Sequence, residues 1–188
     1  MGTRPRRLRT RSPALSSPAL DGRTAIVAGA GPGIGQACAA ALRQAGADVV
    51  VAARDTERLD ALAARLRTAP GGKVVAHVLD TGDTGSCRTL VDDVLADLGR
   101  VDVLVNVATF GGDEATVDEA DWESWRRAFE VNVIGTLELS RLAARAMSRL
   151  DDGEGDGSII QIGTLGTHAL PAGRARYTAT KQAMVAAS

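Results

Sequence analysis

The chain is short of the residues that staple, anchor or metallate a protein. Its two cysteines, Cys38 and Cys87, stand far apart without Cys-x-x-Cys spacing. They read as free thiols in a reducing compartment, which points to the cytoplasm, rather than as a disulfide framework or a thiolate metal site. The only histidines, His77 and His168, fit no metal or catalytic pattern; His77 reads as structural, and His168 follows a strand end where substrate contact stays open. No apolar run reaches the roughly 18 residues a bilayer span needs, and the start lacks the apolar core of a secretory signal. Aromatics make up 3% of the chain, with a single tyrosine, and lysine occurs twice, at Lys73 and Lys181, against twenty arginines. Scarcity gives each of these residues weight.

What remains is ordinary for a folded domain: 188 residues, 45% hydrophobic and 24% charged. A chain of that length buries about two-thirds of its unfolded surface and needs no metal or disulfide to fold. Charge is uneven. Residues 1–20 carry Arg4, Arg6, Arg7, Arg9 and Arg11 with serines and prolines but no acid. They read as a disordered extension, or one created by a misplaced start codon. An organelle-targeting segment or a nucleic-acid arm is the lesser reading. The mildly acidic body gives no reason to expect nucleic-acid binding.

From residue 21 the pattern becomes regular. Thr24 to Ala28, Asp48 to Ala52, Lys73 to Leu79, Val101 to Val105 and Ser158 to Ile162 read as five buried strands. Between them lie amphipathic helices: about Gln36 to Gln44; one after Asp55 with Leu59, Leu62 and Leu66 in phase; one marked by Leu90, Val91, Val94 and Leu98; and Trp122 to about Leu150, long enough to carry a break. A polar surface turn is read at 151–157, and a last helix starts at Tyr177. Apolar strands alternating with amphipathic helices predict an α/β, doubly wound parallel sheet, the Rossmann fold, over residues 21–188.

The first strand runs into Ala28-Gly29-Ala30-Gly31-Pro32-Gly33-Ile34-Gly35. Glycines between a strand and a helix let a diphosphate approach the backbone, and the helix start offers it unpaired N–H groups. The spacing is Gly-x-x-x-Gly-x-Gly, and no P-loop lysine follows, which disfavours a nucleotide triphosphatase. Selectivity between NADP and NAD is read at the end of the second strand, Ala53-Arg54-Asp55. Arg54 suits a ribose 2′-phosphate and favours NADP; Asp55, able to cap a helix or to meet a ribose hydroxyl, keeps NAD open.

With these features in place the chain resembles the short-chain dehydrogenase/reductase family, in the branch with the Gly-x-x-x-Gly-x-Gly turn, from about Gly22 to its end. The resemblance rests on the glycine turn, Asp80 after the third strand, Asn106 after the fourth, and Tyr177-Thr178-Ala179-Thr180-Lys181. Residues four apart share a helix face, and an ammonium beside a phenol favours the phenolate. The resemblance implies Tyr177 as general acid/base, with Lys181 as its electrostatic partner and ribose ligand. It implies that hydride passes between NADP(H), or NAD(H), and a carbonyl or alcohol. Thr164, preceded by Gly163, stands where the family has its serine, and Asn132 matches the asparagine that helps hold a water near the lysine. Cofactor contacts are implied at Gly29, Gly31, Gly33, Ile34, Gly35, Arg54, Asp80, Asn106, Tyr177 and Lys181.

The departures are specific. Asn106-Val107-Ala108-Thr109 replaces Asn-Asn-Ala-Gly, and Ala28 replaces a threonine. The family continues past Tyr-x-x-x-Lys with further helix, strand and substrate loop. The chain is therefore read as C-terminally truncated, its sheet incomplete at that edge. The fifth strand is expected to expose an edge and the 188-residue chain to be poorly active or inactive. A homo-oligomer is expected for the full-length relative. Two other readings stand beside the oxidoreductase: a non-catalytic nucleotide-binding or interaction module, and a sugar-nucleotide epimerase or dehydratase, whose usual Gly-x-x-Gly-x-x-Gly turn is absent.

Overall fold

A computed structural model describes residues 19–111, 116–150, 157–169 and 172–187. Most of the Arg-rich start and of the polar turn expected at 151–157 lie outside the described residues. Five strands form one parallel sheet in the order β3-β2-β1-β4-β5: β1 (Thr24–Ala28), β2 (Asp48–Ala53), β3 (Val74–Val78), β4 (Val103–Asn106) and β5 (Ser158–Gln161). The chain starts in the middle of the sheet, winds outward through β2 and β3, then returns to the far side of β1. Val27 lies level with Val51 on one neighbour and with Val105 on the other. That reversal of direction opens a crevice at the carboxyl ends of β1 and β4.

The period of two along the strands divides the core. Ile26, Val50 and Leu104 face one way, onto Leu90, Val91 and Val94 of α3 (Thr84–Leu98) and Leu139 and Ala143 of α5 (Thr136–Met147). Val27, Val49, Val51 and Val105 face the other way. They meet Ala39 of α1 (Ile34–Gln44) and Leu59, Leu62 and Leu66 of α2 (Thr56–Arg67). Asp55 caps α2 by accepting the Arg58 N–H at 3.1 Å. α3 starts on Asp83 and stops at Gly99, whose φ is 78°.

Two polar clusters fasten the rim. Buried Arg43 of α1 donates to the carbonyls of Ala69, Pro70 and Gly72, holding the turn that closes α2. At the amino ends of β1 and β4, Asp102 is 3% exposed and accepts from Arg23, Arg100 and the Thr24 N–H.

The break expected in the long helix is real and has a defined form. α4 (Trp122–Phe129) passes into a six-residue π-helical turn, Glu130–Gly135, before α5 resumes. Asn132 lies in that wider turn. α6 (Gly166–Ala169) is a single turn, and α7 (Ala175–Ala186) carries Tyr177 and Lys181. The edge expected at β5 is present: Ser158, Ile159 and Ile160 are all exposed.

Candidate active site

A cavity of about 850 Å³ opens at the carboxyl ends of the strands. Its walls come from the β1–α1 turn, the end of β2, the segments after β3 and β4, and α7. Gly29, Gly31, Gly33, Ile34, Arg54, Asp80, Tyr177 and Lys181, all predicted site residues, line it together.

The glycine turn is shaped by both the protein and the space beside it. Gly29 has φ 93°, and a Cβ there would fall 2.2 Å from the Ala108 backbone nitrogen, so the β1 and β4 loops touch only because that atom is missing. A Cβ on Gly31 would meet no atom of the described residues within 4 Å, which leaves room for a ligand against the backbone. The start of α1 has no side-chain cap, leaving its first N–H groups for an anion. These features fit a dinucleotide diphosphate. Gly35 does not line the cavity. It lies in the first turn of α1, where a Cβ would fall 2.2 Å from the Gly29 carbonyl oxygen.

At the end of β2, Arg54 is exposed and lines the cavity, as does Arg58, one helical turn on. Asp55 lines the cavity as well; it caps α2 and pairs with Arg58 at 3.1 Å. Asp80 is clamped by Arg127 of α4, at 2.6 and 2.8 Å, and accepts the Gly82 N–H at 2.9 Å. Burial alone would raise its carboxyl. Arg127, the Gly82 N–H and the more distant Arg54 outweigh burial and hold it below the usual carboxylate range.

On the far wall, Tyr177 is half-buried and Lys181 is 6% exposed. The ammonium sits 5.9 Å from the centre of the Tyr177 ring and donates to the Ile162 carbonyl at 2.8 Å. Burial lowers its affinity for a proton. The pair is therefore brought together, though the lysine's hydrogen bond goes to β5's exit rather than to the phenol.

Besides Gly35, three predicted residues stand back from this cavity. Asn106 is buried and donates to Ser140 Oγ at 3.1 Å. With Asn132 and Lys181 it lines a smaller space of about 230 Å³. The Asn132 amide accepts from the Phe110 N–H at 2.6 Å and from Thr109 Oγ1, and donates to the Phe110 carbonyl and to Thr180 Oγ1. Thr164 Oγ1 accepts the Gly166 N–H at 3.2 Å, turning into the start of α6. His77 bonds Asp93 and the Val78 carbonyl, and His168 contacts Thr167; neither lines the cavity.

Sequence reasoning missed Arg58, Arg127, Phe110 and Arg176. Phe110 forms part of the cavity wall, and Arg176 lies over its ring while donating to Ser124 Oγ and the Gly111 carbonyl. Of these, Arg58 alone had a local signal, standing four residues past Arg54 on a helix.

The sequence profile of the family described as short chain dehydrogenase matches residues 23–188. An uncharacterized oxidoreductase of Methylorubrum extorquens is 40% identical over 90% of the chain, which spans 65% of that relative's length. A metagenomic short-chain oxidoreductase solved in complex with NADP superposes with a TM-score of 0.83 at 34% identity, covering 90% of this chain and 74% of that one. NAD+-bound xylitol dehydrogenase superposes at 0.82 with 26% identity, covering 89% and 63%. The ordered glycine turn, the reversed sheet and the Tyr177–Lys181 wall thus have one common explanation: the chain belongs to the short chain dehydrogenase family.

Proposed function

We propose that this chain binds NADP(H) and supplies the proton-transfer group of an oxidoreductase interconverting a carbonyl and an alcohol. The observation that carries the reading is a single cavity with an open glycine turn and two arginines at one end and Tyr177 with Lys181 at the other. The nicotinamide, when bound, supplies or accepts hydride. The chain's own residues do the rest. The glycine turn and the start of α1 hold the diphosphate. Arg54 meets a 2′-phosphate, while Arg58 holds Asp55, the acid that would favour a free ribose hydroxyl, in an ion pair. Tyr177 Oη gives a proton to, or takes one from, the substrate oxygen. The Lys181 ammonium, 5.9 Å from the centre of the Tyr177 ring, meets a ribose hydroxyl.

The relatives named dehydrogenases and reductases, and the NADP complex among the solved structures, support this reading. Two free cysteines suit the cytoplasm. Among the described residues no helix is long and apolar enough to cross a membrane. For the longer relatives we infer a homo-oligomer. One observation favours a binding module without catalysis: the Thr164 hydroxyl is turned toward Gly166 instead of the cavity.

Fluorescence titration with NADPH and NADH tests the reading. Arg54→Gln should weaken NADPH about tenfold, the loss of one charge-assisted contact, and leave NADH within about twofold. No NADPH binding by the parent chain would remove the proposal. Binding with no carbonyl reduction, unchanged by Tyr177→Phe, would select the binding module.

A further inference from the structure

The geometry points to Thr180, an unassigned residue inside the Tyr-x-x-x-Lys stretch, as the positioning residue that fastens α7 to the cofactor wall. This rests on the cofactor reading above. Thr180 is fully buried and Asn132 is 1% exposed. The Asn132 amide cannot be turned round. The Phe110 N–H can only donate, so it must face Oδ1, and the Phe110 carbonyl can only accept, so it must face Nδ2. The second Nδ2 hydrogen then points at Thr180 Oγ1, 2.9 Å away. Thr180 must accept there, and its own hydrogen goes to the Tyr177 carbonyl at 2.8 Å. Every donor in the chain of contacts has one direction.

The junction ties three separate elements. The π-helical turn brings Asn132; the segment after β4 brings Thr109 and Phe110, which line the cavity; α7 brings Thr180 between Tyr177 and Lys181. Removing the hydroxyl leaves an Nδ2 hydrogen buried without its acceptor. It also releases the only side-chain bond from Asn132 to α7 among the described residues. The wall carrying Tyr177 and Lys181 then loses its register against Phe110, while the glycine turn, on the other side of the cavity, keeps its own.

Two probes separate these walls: NADPH, which reaches α7, and adenosine 2′,5′-bisphosphate, which carries only the adenosine half. Thr180→Val, of equal size, should weaken NADPH about tenfold, as expected for one buried hydrogen bond left unmade. The bisphosphate should stay within about twofold. Thr180→Ser should restore NADPH to within twofold of the parent. Should the valine variant not fold, Thr180→Ala is read by the same ratio. Equal weakening of both probes, or NADPH affinity unchanged in the valine or alanine variant, overturns the assignment. A parent chain that binds neither probe overturns the cofactor reading itself, and this inference with it.

Discussion

β1 and β5 each carry an apolar stretch, and both run straight into the site, yet the structure treats them oppositely. All five residues of β1 are buried, with sheet on both sides and helices on both faces. In β5, Ser158, Ile159 and Ile160 are exposed, and among the described residues β4 alone pairs with it. The two walls of the cavity inherit this difference. The nucleotide wall hangs from β1 and β2 and is positioned by the sheet itself. The proton-transfer wall follows β5 and is positioned by side-chain hydrogen bonds: Asn132 to Thr180, and Arg176 to Ser124 and Gly111. One fold thus holds a site by two methods, packing on one side and polar fastening on the other.

Cutting equivalent apolar side chains from the two strands gives the largest expected contrast. Ile26→Ala, at a site with no exposure, should cost about 3 kcal/mol through lost burial and the cavity left behind. Ile160→Ala, at 43% exposure, should cost less than about 1 kcal/mol. Urea unfolding of both variants measures the difference. Comparable losses would mean that β5 is packed as firmly as β1, and the division would fail.

A second test uses charge in the rigid half. Burial would raise the Asp102 carboxyl, but Arg100, the Thr24 N–H and Arg23 together hold it low. A carboxyl whose folded value lies below its unfolded value stabilises the fold fully above the unfolded value, near pH 4. That contribution is lost as pH falls through the folded value. Asp102→Asn should therefore cost about 2 kcal/mol at neutral pH, with the gap to the parent closing below about pH 4. Denaturant midpoints measured from pH 7 downward check this. A gap independent of pH would assign the loss to packing rather than ionisation.

Much of the rigid half was legible in the sequence because its signals are local. The strands are apolar runs beside glycine and proline, and Asp55 stands one residue before the helix it caps. Asn132 was legible as the match to the family's asparagine, but its partners at Phe110 lie 22 residues away, so its contacts were not. Arg127 had no signal, because the carboxylate it clamps is 47 residues distant. Thr164 teaches a different limit. Motif spacing fixes where a hydroxyl sits along the chain, but the turn into α6 offers the Gly166 N–H and captures it. Lys181 was expected to face the phenol. A buried ammonium must satisfy its hydrogens, and the Ile162 carbonyl is within reach.

That lysine supplies the smallest and most discriminating test. Burial lowers its proton affinity in the folded chain, so between the folded and unfolded values the unfolded state holds the extra proton. Stability then rises with pH across that window. Below it, the charged lysine is held in a desolvated place with one backbone acceptor among the described residues, a poor exchange for solvation in water. Lys181→Met keeps the length of the side chain and removes the charge. At pH 7 it should be as stable as the parent or up to about 1 kcal/mol more stable, and the difference should shrink as pH rises toward the ordinary lysine range. NADPH affinity should fall in the same variant. Stability and binding moving in opposite directions would identify a residue kept for its chemistry at the expense of the fold. A Lys181→Met chain less stable than Ile160→Ala would instead make the bond to Ile162 a prop of the structure, and the proton-transfer wall would owe its order to that charge.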